Sequence, residues 1–162
     1  MLSNESILEE YPQWLTNNAF IDGFDWENVN ISSFEKLLDL MTLHDSYWIG
    51  AFSYLDNSTN LIINLDAIWN KELLGYLPEE ETGEWPYLII KLEKTYNIIF
   101  DSDIDCGTTI ADVKTEILND SKIVKTKIED VCNGFIEILH DEIIKFQIFD
   151  TKANIIELPN KE

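Results

Sequence analysis

The sequence predicts an α+β fold, a mainly antiparallel twisted sheet or partial barrel with helices at its N-terminal end and one helix inserted among the strands. Runs that alternate apolar and polar residues recur from residue 43 onward, the period of a half-buried strand. Helix-period stripes are confined to residues 1–42 and to one later stretch, 109–118. The third observation is size. With 162 residues, 45% of them hydrophobic, the chain can bury one core. A single domain over 1–162 is expected, divided into a helical and aromatic segment 1–42 and a sheet-rich body 43–158.

In chain order, Ile7, Leu8, Tyr11 and Trp14 lie at helix spacing, and Pro12 limits that short helix near Tyr11. Residues 17–30 mix Phe20, Ile21, Phe24 and Trp26 with Asp22, Gly23, Asp25 and Asn28, which suits an irregular loop pinned by aromatic anchors, or a partner surface. Ser32 with Glu35 matches a capping box, and Phe34, Leu37, Leu38 and Met41 form the stripe of a helix over 33–41. Residues 43–69 then predict the β-hairpin that organises the chain. Trp48, Gly50, Phe52 and Tyr54 fall on one face of an extended strand, and Leu61, Ile63 and Leu65 repeat that period after a turn of Asp56, Asn57, Ser58 and Asn60.

Gly75, Pro78, Gly83 and the run Glu79-Glu80-Glu81 make residues 70–85 a long acidic connection. A third strand over 87–96 points Leu88, Ile90 and Leu92 inward and Lys91 and Glu93 outward, with 97–100 extending it or pairing with it. Ile110, Val113, Ile117 and Leu118 predict the inserted helix over 109–118. Strands follow near 123–128, 135–139 and 143–149, the last two joined by a tight turn at His140-Asp141-Glu142, and 155–158 reads as an edge strand ending at Pro159. No internal repeat marks a solenoid or propeller.

Charge narrows the function. There are 31 acidic residues against 11 cations, a net charge of −20, and every cation is a lysine. Lacking guanidinium forks, a chain this acidic is a poor ligand for nucleic acid or anionic membranes and a natural complement to a basic protein. Residues 1–90 hold 16 acids against only Lys36 and Lys71, so the first half carries the field. The aromatic content of 12% argues for a folded acidic protein over a disordered one. Residues 1–5 lack the basic start of a secretory signal, and no apolar run reaches the roughly 20 residues of a spanning helix, so a cytoplasmic location is expected. Cys106 and Cys132 form no CxxC pair and are expected as thiols rather than a disulfide.

Several constellations bear on chemistry. His44-Asp45-Ser46 holds the residue types of a hydrolase triad, but in an extended segment Asp45 points away from the other two, which favours a strand-opening turn. Leu-His-Asp recurs at 139–141, so His44, Asp45 and His140 define an alternative hydrolase or metalloenzyme site. Asp101, Asp103, Asp105 and Asp112 sit at calcium-loop positions. Cys106 replaces the required glycine, however, and Asp112 is shorter than the bidentate Glu, so a solvated turn is expected. Glu79, Glu80, Glu81 and Glu84 near Trp85 could serve as glycosidase carboxylates, or more simply as a solvated acidic loop. Acidic groups around aromatic anchors also suit a protein-binding surface, for which Asp22, Asp25, Trp26, Glu27, Glu79, Glu80, Glu81, Glu84 and Trp85 are the candidates. No cofactor and no metal are expected.

Leu43-His44-Asp45-Ser46, with Trp48, the turn 56–60 and the strand 61–66, resembles the opening of the small acidic immunity proteins of bacterial polymorphic and contact-dependent toxin systems. The resemblance extends loosely over 34–158. It implies a cytoplasmic, stoichiometric inhibitor, without catalytic residues, that occludes the active site of a cognate toxin or a surface beside it. A basic, nuclease-type toxin is the expected partner, and an acidic nucleic-acid mimic is a further alternative.

Overall fold

The computed structural model describes residues 11–75, 85–101, 109–119 and 122–158. Among them, helix α1 (Gln13–Ile21) precedes strand β1 (Asn30–Ser32), helix α2 (Phe34–Leu40), the hairpin β2 (Tyr47–Ser53) and β3 (Thr59–Asn64), and the short helix α3 (Lys71–Leu74). Six strands follow: β4 (Tyr87–Leu92), β5 (Thr95–Asp101), β6 (Ile110–Ile117), β7 (Ile123–Asp130), β8 (Phe135–Asp141) and β9 (Ile144–Phe149). The fold is α+β and mostly strand. Its two antiparallel sheets, ordered β1-β9-β4-β3-β2 and β5-β8-β7-β6, are not closed into a barrel.

Strands β3, β4 and β9 are buried on both faces because the five-stranded sheet is a middle layer. Its inner face contributes Leu61, Ile63, Leu88, Ile90 and Phe146 to a core shared with Phe34 and Leu37 of α2 and with Ile128, Ile136 and Ile138 of the other sheet. Its outer face packs Ile62, Ile89 and Phe149 under Leu15 and Ala19 of α1 and under Phe24. Each fully buried aliphatic side chain here contributes about 1.5–3 kcal/mol relative to exposure. Covering both faces is why β4 reads Tyr-Leu-Ile-Ile-Lys-Leu with one charge, and that lysine needs a counter-ion on the outer face.

The hairpin, the third strand and α2 form as expected. Several details differ. Ser33 rather than Ser32 caps α2, its Oγ accepting from the Lys36 N–H at 3.3 Å. The short helix expected before Pro12 falls mainly on residues outside the described ones; helix α1 begins after Pro12 and runs to Ile21 through part of the expected loop. Proline is well tolerated where a helix begins, since the N–H it lacks has no partner there.

The expected helix over 109–118 is strand β6. A bulge between Ile110 and Asp112 inserts one residue, so Ile110 and Val113, three apart, face the same side while Val113, Thr115 and Ile117 continue at period two. That spacing imitates a helix, but the run of β-branched residues favours a strand. A second bulge between Trp48 and Gly50 separates residues that a regular strand would keep together. Trp48 and Ala51 pack on the inner core, whereas Ile49 and Phe52 pack on the outer one.

The tight hairpin turn expected at 140–142 is likewise absent. His140 lies within β8, and β8 and β9 belong to different sheets. The chain crosses between sheets there and again between β4 and β5, with Leu92 opposite Ile144 on one side of the corner and Thr95 opposite His140 on the other. Residues 97–100 thus extend β4 around the corner to pair with β8. Of the expected edge strand at 155–158, the structure shows a single bridge, Ile155 to Phe149. Cys132 is disulfide-bonded, which corrects the free-thiol expectation for it; Cys106 lies outside the described residues.

Candidate partner-binding surface

The loop that leaves α1 lies across the outer face of the five-stranded sheet and carries four of the candidate residues. Asp22 closes the helix in a left-handed conformation, with φ 50° and ψ 57°. Its Oδ1 accepts from Trp26 Nε1 and from Asn60 Nδ2, each at 2.8 Å, and its Oδ2 forms an ion pair with Lys91. The Lys91 ammonium also sits 5.4 Å from the Trp26 ring centroid. Asn60 Nδ2 further donates to Tyr54 Oη at 3.2 Å, and the Tyr54 hydroxyl donates to the Ala19 carbonyl. Burial, followed by the Asp22 charge, pushes the Tyr54 hydroxyl up to about 12. Asp22 and the Trp26 indole N–H are therefore committed to internal bonds.

Asp25 and Glu27 are exposed. Asp25 Oδ1 accepts the Glu27 N–H at 2.9 Å, and the Asp25 carbonyl accepts from Gln147 Nε2 of β9. Beside them opens a cavity of about 300 Å³ between this loop and residues 155–158. Asp25, Glu27 and Glu157 line it together with Gln147, Val29, Ile155, Ile156 and Leu158.

Trp85, by contrast, is only 7% exposed and packs with its ring 5.9 Å from Tyr47. It is part of the inner core. Glu79, Glu80, Glu81 and Glu84 lie outside the described residues.

The histidine constellation is taken apart by the fold. His44 is exposed at the opening of β2, its Nδ1 3.1 Å from Asp45 Oδ2, and that carboxylate also accepts Trp69 Nε1 at 3.0 Å. Asp45 has φ 65°, the left-handed turn that the strand-opening expectation requires. Ser46 is fully buried and its Oγ accepts the Asp66 N–H at 2.8 Å. His140 is fully buried beneath Phe34, with ring centroids 5.5 Å apart. Its Nδ1 lies 2.7 Å from the Asp141 carbonyl, which can only accept, so the proton sits there and Nε2 accepts from Thr126 Oγ1 at 2.7 Å. With both nitrogens engaged and no solvent access, His140 is held as a neutral structural group, and burial lowers its pKa. Among the described residues no group of three or more His, Cys, Asp or Glu side chains could hold a metal ion. Of the calcium-loop positions, Asp103 and Asp105 lie outside the described residues, and Asp112 is on β6 with its Oδ1 accepting the Val113 N–H.

The sequence reasoning missed Tyr54, Asn60, Gln147 and Glu157. A lysine in an otherwise apolar strand was the available signal for a buried anion nearby; nothing local identified Asp22 as its partner. Comparison with protein-family models, curated proteins and solved structures found no match.

Proposed function

We propose that this chain is a non-catalytic acidic binding protein that neutralises a basic protein toxin, in the manner of a cytoplasmic immunity protein. What carries the reading is the distribution of charge. The lysines of the four-stranded sheet are matched by carboxylates of β6 and β7 themselves: Lys114 to Glu129, Lys125 to Glu116 and Lys127 to Glu129. The excess negative charge lies in the first half of the chain, where exposed Asp25 and Glu27 border the cavity. A nuclease surface that binds phosphate would meet that field favourably, and long-range attraction would speed encounter. The Cys132 disulfide pulls against the cytoplasm as the location, because such bonds persist mainly in oxidising compartments.

The test is co-expression with the protein encoded beside this gene. Cells carrying a toxic neighbour should survive only when this chain is present, and the purified pair should form a stoichiometric complex that weakens with salt. Replacing Glu79, Glu80 and Glu81 together by Gln should slow association and flatten its salt dependence. Trp26→Ala, in a variant verified as folded, should raise the off-rate. A neighbour that is neither toxic nor bound removes the proposal. Hydrolysis lost on His44→Ala would put an enzyme in its place.

A further inference from the structure

His140 is fully buried, yet it stands at the inner end of a chain of hydroxyl groups that leads out of the core. Its Nε2 is 2.7 Å from Thr126 Oγ1, and Thr126 Oγ1 is 3.3 Å from Thr115 Oγ1. Thr126 is fully buried as well. Thr115, opposite it on the edge strand β6, is half-buried and lines a cavity of about 270 Å³ with Ser33, Glu35, Glu116 and Glu142. The Asp141 carbonyl fixes the direction of every bond in the chain. It holds the ring proton on Nδ1, so Thr126 gives its one proton to Nε2, and Thr115 must then give its own to Thr126.

From this we infer a reversible proton switch: uptake of a proton at His140 turns both hydroxyls round inside the folded protein, and Thr115 changes from acceptor to donor at the surface. A proton arriving at Thr115 Oγ1 lets that hydroxyl pass its own proton to Thr126, which passes its own to Nε2. Each oxygen is left with one proton and the ring with two. No hydrogen bond of the chain is lost; only its polarity changes. The surroundings suit the charged ring. Its Nδ1 proton keeps the Asp141 carbonyl, and the Phe34 ring centroid lies 5.5 Å away, within the range at which an aromatic ring attracts a cation. Burial opposes the charge, and the Asp141 carboxylate, itself held by Tyr96 Oη at 2.6 Å with Lys94 over the Tyr96 ring, favours it. Helix α2 meets the ring through Phe34, β5 sets Thr95 opposite it, and β7 offers Val124 and Thr126, with Lys125 and Lys127 alternating to the other face. Glu35, Glu116 and Glu142 lie at the Thr115 end of the chain.

The experiment is a pH titration of the His140 ring by nuclear magnetic resonance in the full chain, with His44→Gln leaving a single histidine. Above neutrality the ring nitrogen shifts should show the Nδ1–H tautomer. On acidification the ring should take up its proton while the amide resonances of α2 and β7 keep their native dispersion. Thr126→Val should lower the proton affinity about fivefold, the margin of a charge-assisted hydrogen bond over a neutral one. Thr115→Val should lower it by about as much, because the reversed Thr126 proton then has no acceptor. A substitution that acted only through packing would move the melting temperature and leave the ring titration where it was. If Thr126→Val does not fold, Thr115→Val, at a half-buried position, decides the matter. A ring that stays neutral until the chain unfolds, an Nε2–H tautomer, or an unchanged titration in Thr115→Val overturns the switch.

Discussion

Asp22 and Lys91, separated by 69 positions, form an ion pair beneath Trp26 on the outer face of the five-stranded sheet, with side chains only 15% and 14% exposed. Lys91 faces outward from β4 opposite Asn60 of β3, and Asn60 also binds Asp22. The pair ties the end of α1 and its following loop to the sheet. Because both charges are largely desolvated, removing one leaves the other without compensation.

Asp22→Asn or Lys91→Met alone should accordingly lower stability by about 2–3 kcal/mol, towards the lower end for buried pairs because some screening remains. The double variant should lose less than the sum of the two. Urea unfolding of all four proteins measures the coupling, and additive losses would show that the pair does not act as a unit.

His140 gives the fold a defined acid sensitivity. Burial depresses its pKa below the ordinary 6.5, against smaller opposing effects of the Asp141 carbonyl and charge. The unfolded chain then binds the extra proton first, so its contribution to stability is complete above about 6.5 and is lost as pH falls from there through the folded value. The difference in unfolding free energy between wild type and His140→Leu should change across that window and be flat above it. A constant difference would mean that His140 protonates equally in both states and that burial does not depress its pKa.

Tyr54 should titrate late. With its hydroxyl raised to about 12 by burial and by Asp22, Tyr54 should ionise late in an ultraviolet titration, beside Tyr87, which burial also raises, and Tyr96, which its hydrogen bond to Asp141 raises, and Tyr54→Phe should remove one tyrosine from the late component. Its folded pKa lies above the unfolded one, so its contribution is present below about pH 10 and fades as pH rises towards 12. Asp22→Asn should bring the ionisation earlier; an unchanged curve would dissociate the tyrosine from that carboxylate.

The Cys132 disulfide makes a compartment-sensitive prediction. Cys132→Ser, or reduction, should cost about 2–5 kcal/mol and lower the melting temperature. Thiol labelling immediately on lysis then reports the state in the cell. Complete labelling of Cys132 would place the working protein in a reducing environment without this bond.

Trp85 separates packing from recognition. As a buried neighbour of Tyr47 in the inner core, it should cost about 3–5 kcal/mol when replaced by Ala, with the loss read directly in unfolding. A Trp85→Ala protein of normal stability that bound its partner poorly would restore it to the recognition surface.

The sequence by itself determined the strand-rich body, the hairpin, the helix over Phe34–Leu40 and the sign and placement of the charge, because alternation, capping residues and composition are local properties that neighbours in the chain express directly. Tertiary structure alone decided which face and which sheet those residues joined. The bulges at Trp48–Gly50 and Ile110–Asp112 are settled by the register of the paired strand, and each shifts the faces of all the residues beyond it. His140 resembles a turn residue in the sequence, but β8 and β9 belong to different sheets and His140 lies inside. The internal bonds of Asp22 and Trp26 were equally invisible in the sequence. Their partners Lys91 and Asn60 lie on strands far along the chain, and a buried charge is stabilised by whatever the fold brings within reach, not by what stands beside it in sequence.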